Sequence, residues 1–217
     1  MNLLQTLARR LRPAQGIDDT RWVVLDVESS GLNVTTDRLL AIAAIAVHTD
    51  GKNLRVALGD SFEVVLRNDV RVADKSNILL HGIGGGAQRH GVEPSVALQD
   101  FERYIGKSPL IAFHAAFDQA TILRGFDAAV GRRPPNVWME LEPLAAVRHP
   151  KVKARSLDEW MAQMNITCAV RHQAAADTLA TAELLLKLWS AALRELRGDA
   201  GFAAVKRLAD HRKWLAS

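Results

Sequence analysis

A single cysteine, Cys168, stands among 217 residues, and that scarcity excludes an intramolecular disulfide and any cysteine-built zinc cluster. It suits a reducing cytoplasm, which is the expected location. No apolar run reaches membrane-spanning length, so no membrane partner is expected. Charge of one sign is also scarce: the net charge is only +4, which permits a polyanionic partner without demanding one. Internal repeats and low-complexity tracts are missing. What is present is an ordinary globular balance, 48% apolar and 24% charged, enough for one domain with a sizeable core.

The first twenty residues begin MNLLQTLARRLRP, a basic, helix-patterned leader with Leu3, Leu4, Leu7 and Leu11 on one stripe. Its apolar part is too broken for a secretory signal, and a surface helix packed on the domain is expected. RWVVLDV then reads as a buried strand, RLLAIAAIAVH as a second, and TDGK as hairpin-turn chemistry leading to a third, NLRVALGDSFEVVLR, bent at Gly59. This is an antiparallel meander. Helical patterning follows from Val70 to Ile105, interrupted by GIGGG (82–86), which lacks the Lys-Ser/Thr of a nucleotide-binding loop and reads as a turn between helices.

SPLIAF is a short fourth strand, followed by a helix over about Ala116 to Val130; VWME reads as another strand. Ser156 and Glu159 form a capping-box pattern opening a helix. A long Ala- and Leu-rich helix runs from Gln173 to Leu196, and a basic helix closes the chain. The pattern predicts an α/β fold, a mixed sheet with helices on its faces. It divides into a leader (1–20), a main domain (21–190) and a C-terminal helix (191–217).

Four carboxylates sit oddly in this frame. Asp26 and Glu28 are two apart on the first strand, so they project from one face. Like charges held there repel unless hydrated or bridged by a cation. Asp118 falls in the first turn of the helix after the fourth strand, where a negative charge also simply suits the helix dipole. Asp177 shares a helix stripe with Ala174, Ala180, Thr181, Leu184 and Leu188, the stripe that faces the core. A lone carboxylate on that face is costly unless paired or bound to metal. His172, five residues earlier and about 140° away on an ideal helix, belongs at the helix entrance.

DVESSGL, HAAFD and HQAAADTLATA together resemble the three motifs of the DnaQ-like 3′–5′ exonucleases of the DEDDh type, the family of the proofreading epsilon subunit of bacterial DNA polymerase III. The resemblance covers about residues 21 to 190. Its patterns are D-x-E-T/S-T/S-G-L, N-x-x-F-D and H-x-x-x-x-D, in this order and on these kinds of element. The second motif departs, with Phe113 and His114 where His and Asn are usual.

The resemblance implies a ribonuclease H-like fold and a two-metal-ion 3′–5′ exonuclease. Single-stranded DNA or RNA 3′ ends would be hydrolysed to nucleoside 5′-monophosphates. Asp26, Glu28, Asp118 and Asp177 would hold two divalent cations, Mg²⁺ or Mn²⁺, hard ions that suit oxygen ligands. His172 would take the proton from the attacking water. Ser29, Gly31, Leu32, His114 and Phe117 would meet the terminal nucleotide. Lys151, Lys153 and Arg155 lie in a basic loop that either touches phosphates or is simply solvated. The alternatives are a silent module that binds nucleic-acid ends and an RNA-trimming enzyme. With about one helix after the third motif, a free-standing enzyme is expected rather than a tethered polymerase subunit.

Overall fold

The computed structural model describes residues 16–68, 78–79, 81–197 and 201–215, with side chains to residue 210. Most of the expected leader, and residues 70–77 and 80 of the expected helical stretch, lie outside it.

Three long strands come first: β1 (Arg21–Ser29), β2 (Leu39–Thr49) and β3 (Leu54–Val65). They form the expected antiparallel meander. Its hairpin turn closes because the Asp50 carboxylate accepts the backbone N–H groups of Lys52 (2.9 Å) and Asn53 (2.7 Å). Gly51 supplies the positive φ, +84°, that such a turn needs. The bend expected at Gly59 is a bulge: Ile45 pairs with Ser61 but Ala46 with Ala57. Within the bulge, Arg21 grips the half-buried Asp60 through Nε (2.8 Å) and Nη2 (2.7 Å).

Helices α1 (Gly85–His90) and α2 (Pro94–Ile105) precede the short strand β4 (Leu110–Ala112). Then come α3 (Ala115–Ala129), β5 (Trp138–Glu140), α4 (Leu141–Arg148), α5 (Leu157–Met164), α6 (Ala174–Glu195) and α7 (Phe202–Leu215). The glycine-rich stretch differs from expectation at one end. Gly82 turns the chain at φ +73°, but Gly85 and Gly86 already belong to α1. Gln88 explains this, since its backbone N–H bonds to Gly84 and its side chain donates to the Ile83 carbonyl (3.1 Å). At α5 both arms of the capping box expected at Ser156 and Glu159 form.

The sheet order is β3-β2-β1-β4-β5, with β4 parallel to β1 and β5 parallel to β4. Central β1 sends alternate side chains to two cores. Val23, Leu25 and Val27 pack with Phe101 of α2 and Ile122 and Phe126 of α3. Trp22 and Val24 face the other side, beneath α4, α6 and α7. Trp22 anchors two of those helices, lying edge-on to Trp189 (5.6 Å) and Phe202 (5.4 Å). The period-2 rule then assigns Asp26 and Glu28 to the side of Trp22 and Val24, where α6 lies.

Candidate active site

At its C-terminal end β1 stops being apolar. Asp26 and Glu28 there line a cavity of about 600 Å³. The N-termini of two helices deliver the other carboxylates: Asp118 in the first turn of α3 and Asp177 in the first turn of α6. Both are buried at 6% exposure. The helix-wheel reading of α6 holds, since Ala174, Ala180, Thr181, Leu184 and Leu188 are buried with Asp177. His172, Ser29, Gly31, Leu32, His114 and Phe117 line the same cavity. The four carboxylates, His172 and the five residues expected at the terminal nucleotide are thus brought to one place, whereas Lys151, Lys153 and Arg155 of the basic loop do not line it.

The electrostatics show a cluster short of positive charge. Burial, then repulsion from Asp118, Glu28 and Asp177, pushes the Asp26 carboxyl well above the usual range. Burial, then Asp177 and Asp118, pushes Glu28 up to about 8. Burial raises Asp118 to about 7, although backbone hydrogen bonds from its own amide and Val27 oppose the rise. Raised proton affinity at three carboxylates of an all-oxygen donor set is the mark of missing positive charge, and such a set fits hard divalent ions. As they stand, no group of three or more His, Cys, Asp or Glu side chains among the described residues is arranged to hold a metal ion.

Arg171, absent from the sequence reading, supplies part of the missing charge. Its guanidinium contacts the Asp177 carboxylate and forks onto Asp158 in the first turn of α5. It lowers the proton affinity of both Asp26 and Glu28. The next residue, His172, has φ +61° and donates its backbone N–H to Asp177 Oδ2 at 3.2 Å. The histidine is therefore outside the helix, at its entrance, as its spacing implied. Cys168 Sγ lies 3.8 Å from the other Asp177 oxygen.

The loop after β1 forms the rim. A Cβ on Gly31 would stand 2.4 Å from an Asp37 carboxylate oxygen. That carboxylate is fixed by Ser30 Oγ (3.1 Å) and the Asn33 backbone N–H (2.8 Å). Only glycine fits there without moving the loop. Leu32 is 88% exposed, an apolar side chain held out beside the cavity.

The altered second motif has a structural consequence. His114 bridges elements, its Nδ1 3.3 Å from Glu140 and its Nε2 donating to the Arg155 carbonyl at 3.1 Å. The Glu140 contact raises its pKa. Phe113, His81, Ser156 and Leu157 also line the cavity and were not singled out in the sequence. His81 had a signal, since it directly precedes the glycine run. Its Nδ1 accepts the Ile83 N–H at 3.0 Å, which leaves the proton on a buried, unpartnered Nε2. Lys151, Lys153 and Arg155 are exposed.

A mixed sheet whose central strand ends in clustered carboxylates defines the ribonuclease H-like class of exonuclease. The chain belongs to the exonuclease family, whose model, described as Exonuclease, matches residues 23–185. Among similar proteins is the DNA polymerase III PolC-type of Bacillus cereus, 29% identical over 167 residues. That match covers 77% of this chain and 11% of the polymerase. A DNA polymerase III subunit epsilon-like protein of Rhodobacter capsulatus is 29% identical over 192 residues, 87% of this chain and 26% of that protein. The chain thus spans only a small part of these relatives.

Solved structures share the fold. Escherichia coli exonuclease I in complex with a dA16 oligonucleotide superposes with a TM-score of 0.64 at 15% identity, over 82% of this chain and 44% of that one. Cell-death related nuclease 4 gives 0.65 at 12% identity, over 78% and 63%.

Proposed function

We propose that this exonuclease is metal-dependent, acts in the 3′–5′ direction on single-stranded DNA and releases nucleoside 5′-monophosphates. The observation that carries the reading is the set of carboxylates at the end of β1, whose raised proton affinity marks a place made for cations. Asp26, Glu28, Asp118 and Asp177 would hold them, Mg²⁺ or Mn²⁺. Bound there, such ions acidify water and stabilise charge on the departing oxygen of a phosphodiester.

The chain's own residues would do the rest. His172 would accept the proton of the attacking water, its backbone tied to Asp177 and its ring carried on a non-helical turn. The Gly31 turn would let the terminal nucleotide approach the backbone, with Ser29 beside it. Leu32 and Phe117 would pack against base and sugar. His114 would steady the rim between Glu140 and Arg155 rather than move a proton.

The test is digestion of 5′-labelled single-stranded DNA and RNA, side by side, with Mg²⁺, Mn²⁺ or chelator. One-nucleotide ladders from the 3′ end, abolished by chelator or a blocked 3′ end, support the reading. The polymerase relatives supply a second one, in which the same activity edits primer ends. Faster removal of a mismatched than a matched 3′ nucleotide would favour it.

A further inference from the structure

A second cavity, about 160 Å³, lies where α2 and α3 meet the ends of β2 and β3. It shares no lining residue with the carboxylate cavity. Its floor is apolar, built by Leu39, Leu66 and Leu98, while Arg38 and Arg124 line it as cations. No carboxylate lines it among the described residues, and neither arginine has an ion-pair partner among them.

Two polar atoms there are out of place. Thr121 is 2% exposed, and its Oγ1 has no hydrogen-bond partner. A helical threonine ordinarily returns its hydroxyl to a carbonyl one turn back. Arg124 Nε is likewise buried and unpartnered. Only its Nη1 is engaged, donating to the Thr35 carbonyl at 3.3 Å. Buried polar groups left unmatched have lost hydration without return, so each needs a reason.

We infer that Arg38, Arg124 and Thr121 form a phosphate subsite separate from the carboxylate centre. The guanidinium groups of Arg38 and Arg124 line the cavity together with Thr121, whose hydroxyl is unmatched, and guanidinium geometry matches phosphate. The space of about 160 Å³ holds several waters and so has room for a phosphate group.

The phosphate has two sources: a backbone phosphodiester of a bound strand, or free phosphate. Position favours the strand. Thr35, which Arg124 holds, belongs to the same short loop as Asp37, whose carboxylate fixes Ser30 and Asn33 beside Gly31 and Leu32. The rim of one cavity is thereby tied to the wall of the other. The strand source rests on the exonuclease reading; phosphate binding itself does not.

Two titrations in chelator test the subsite. In the first, inorganic phosphate raises the melting temperature of the wild type, and Arg124→Gln and Arg38→Gln lose most of that rise. Thr121→Val gives opposite signs. Without phosphate it melts at or above the wild type, having lost an unmatched hydroxyl, yet phosphate shifts it less.

The second uses anisotropy of 5′-labelled oligothymidylates from two to twelve nucleotides long. With a strand source, the arginine variants bind the longer oligomers about tenfold more weakly and with a shallower salt dependence, while dinucleotide binding is unchanged. With free phosphate as the source, oligomer affinity is unchanged but the phosphate shift is lost. The subsite is overturned if phosphate shifts wild type and variants equally, or shifts none, and oligomer affinity is also unaltered. Failure of the wild type to shorten the twelve-nucleotide strand in Mg²⁺ would instead count against the exonuclease reading and leave the phosphate titration decisive.

Discussion

The guanidinium of Arg171 contacts the carboxylate of Asp177 while holding Asp158 with its other nitrogens. One side chain thus ties the first turn of α5 to the first turn of α6 across the loop that carries His172. It is also the positive charge that moderates Asp26 and Glu28.

Arg171→Gln should therefore weaken the metal-free protein. A fully buried pair broken on one side costs about 3–5 kcal/mol. The Arg171 side chain is 23% exposed, so roughly 1–3 kcal/mol is expected after allowing for solvent screening. Thermal melts in chelator should show a loss of several degrees, narrowing when Mn²⁺ is added. An unchanged melting temperature would show that the contact contributes nothing.

Stability without metal should fall as pH rises. Glu28 and Asp118 bind protons more tightly folded than unfolded, at about 8 against 4.5 and about 7 against 3.8. Asp26 shifts in the same direction. The folded state therefore carries more protons, and stability decreases with pH. The contribution is complete below about pH 4 and is lost as pH passes through 7 for Asp118 and 8 for Glu28. Denaturant melts of wild type and Glu28→Gln in chelator check this. The variant should flatten the decline near pH 8, and Mg²⁺ should flatten it in the wild type.

The two histidines should separate kinetically. His172→Ala should lower turnover by about 10²–10⁴-fold, the usual contribution of a general base, with metal-induced stabilisation retained. His114→Ala removes the bridge between Glu140 and Arg155. It should chiefly raise KM, because the nucleotide's wall loosens while the reacting centre is untouched. The reverse pattern would reassign the base.

Much of the site was legible because its signals are periodic. Spacing by two put Asp26 and Glu28 on one face of β1, and the wheel of α6 put Asp177 among alanines and leucines. Ser156 and Glu159 announced the start of α5 through local hydrogen bonding alone. Arg171 was not legible, since it looks like any loop arginine until the turn at His172 aims it inward. His114 was read by its place in a motif, but its bonds to Glu140 and Arg155 depend on how β5 and the α5 entrance pack, which no local pattern encodes. Thr121 and Arg124 sit on α3 one turn apart, and that their polar atoms are left unmatched shows only in the folded packing.

The central claim is that the carboxylates hold the cations that make this chain a 3′–5′ exonuclease, and one paired measurement tests it most directly. Mononucleotide release from a single-stranded oligonucleotide and the Mn²⁺-induced rise in melting temperature are recorded for wild type and Asp177→Asn. The wild type should release nucleoside 5′-monophosphates only with metal and should melt higher when metal is added. Asp177→Asn should lose both responses while remaining folded in chelator. Nucleotide release in excess chelator, or an Asp177→Asn protein that keeps both responses, would contradict the account.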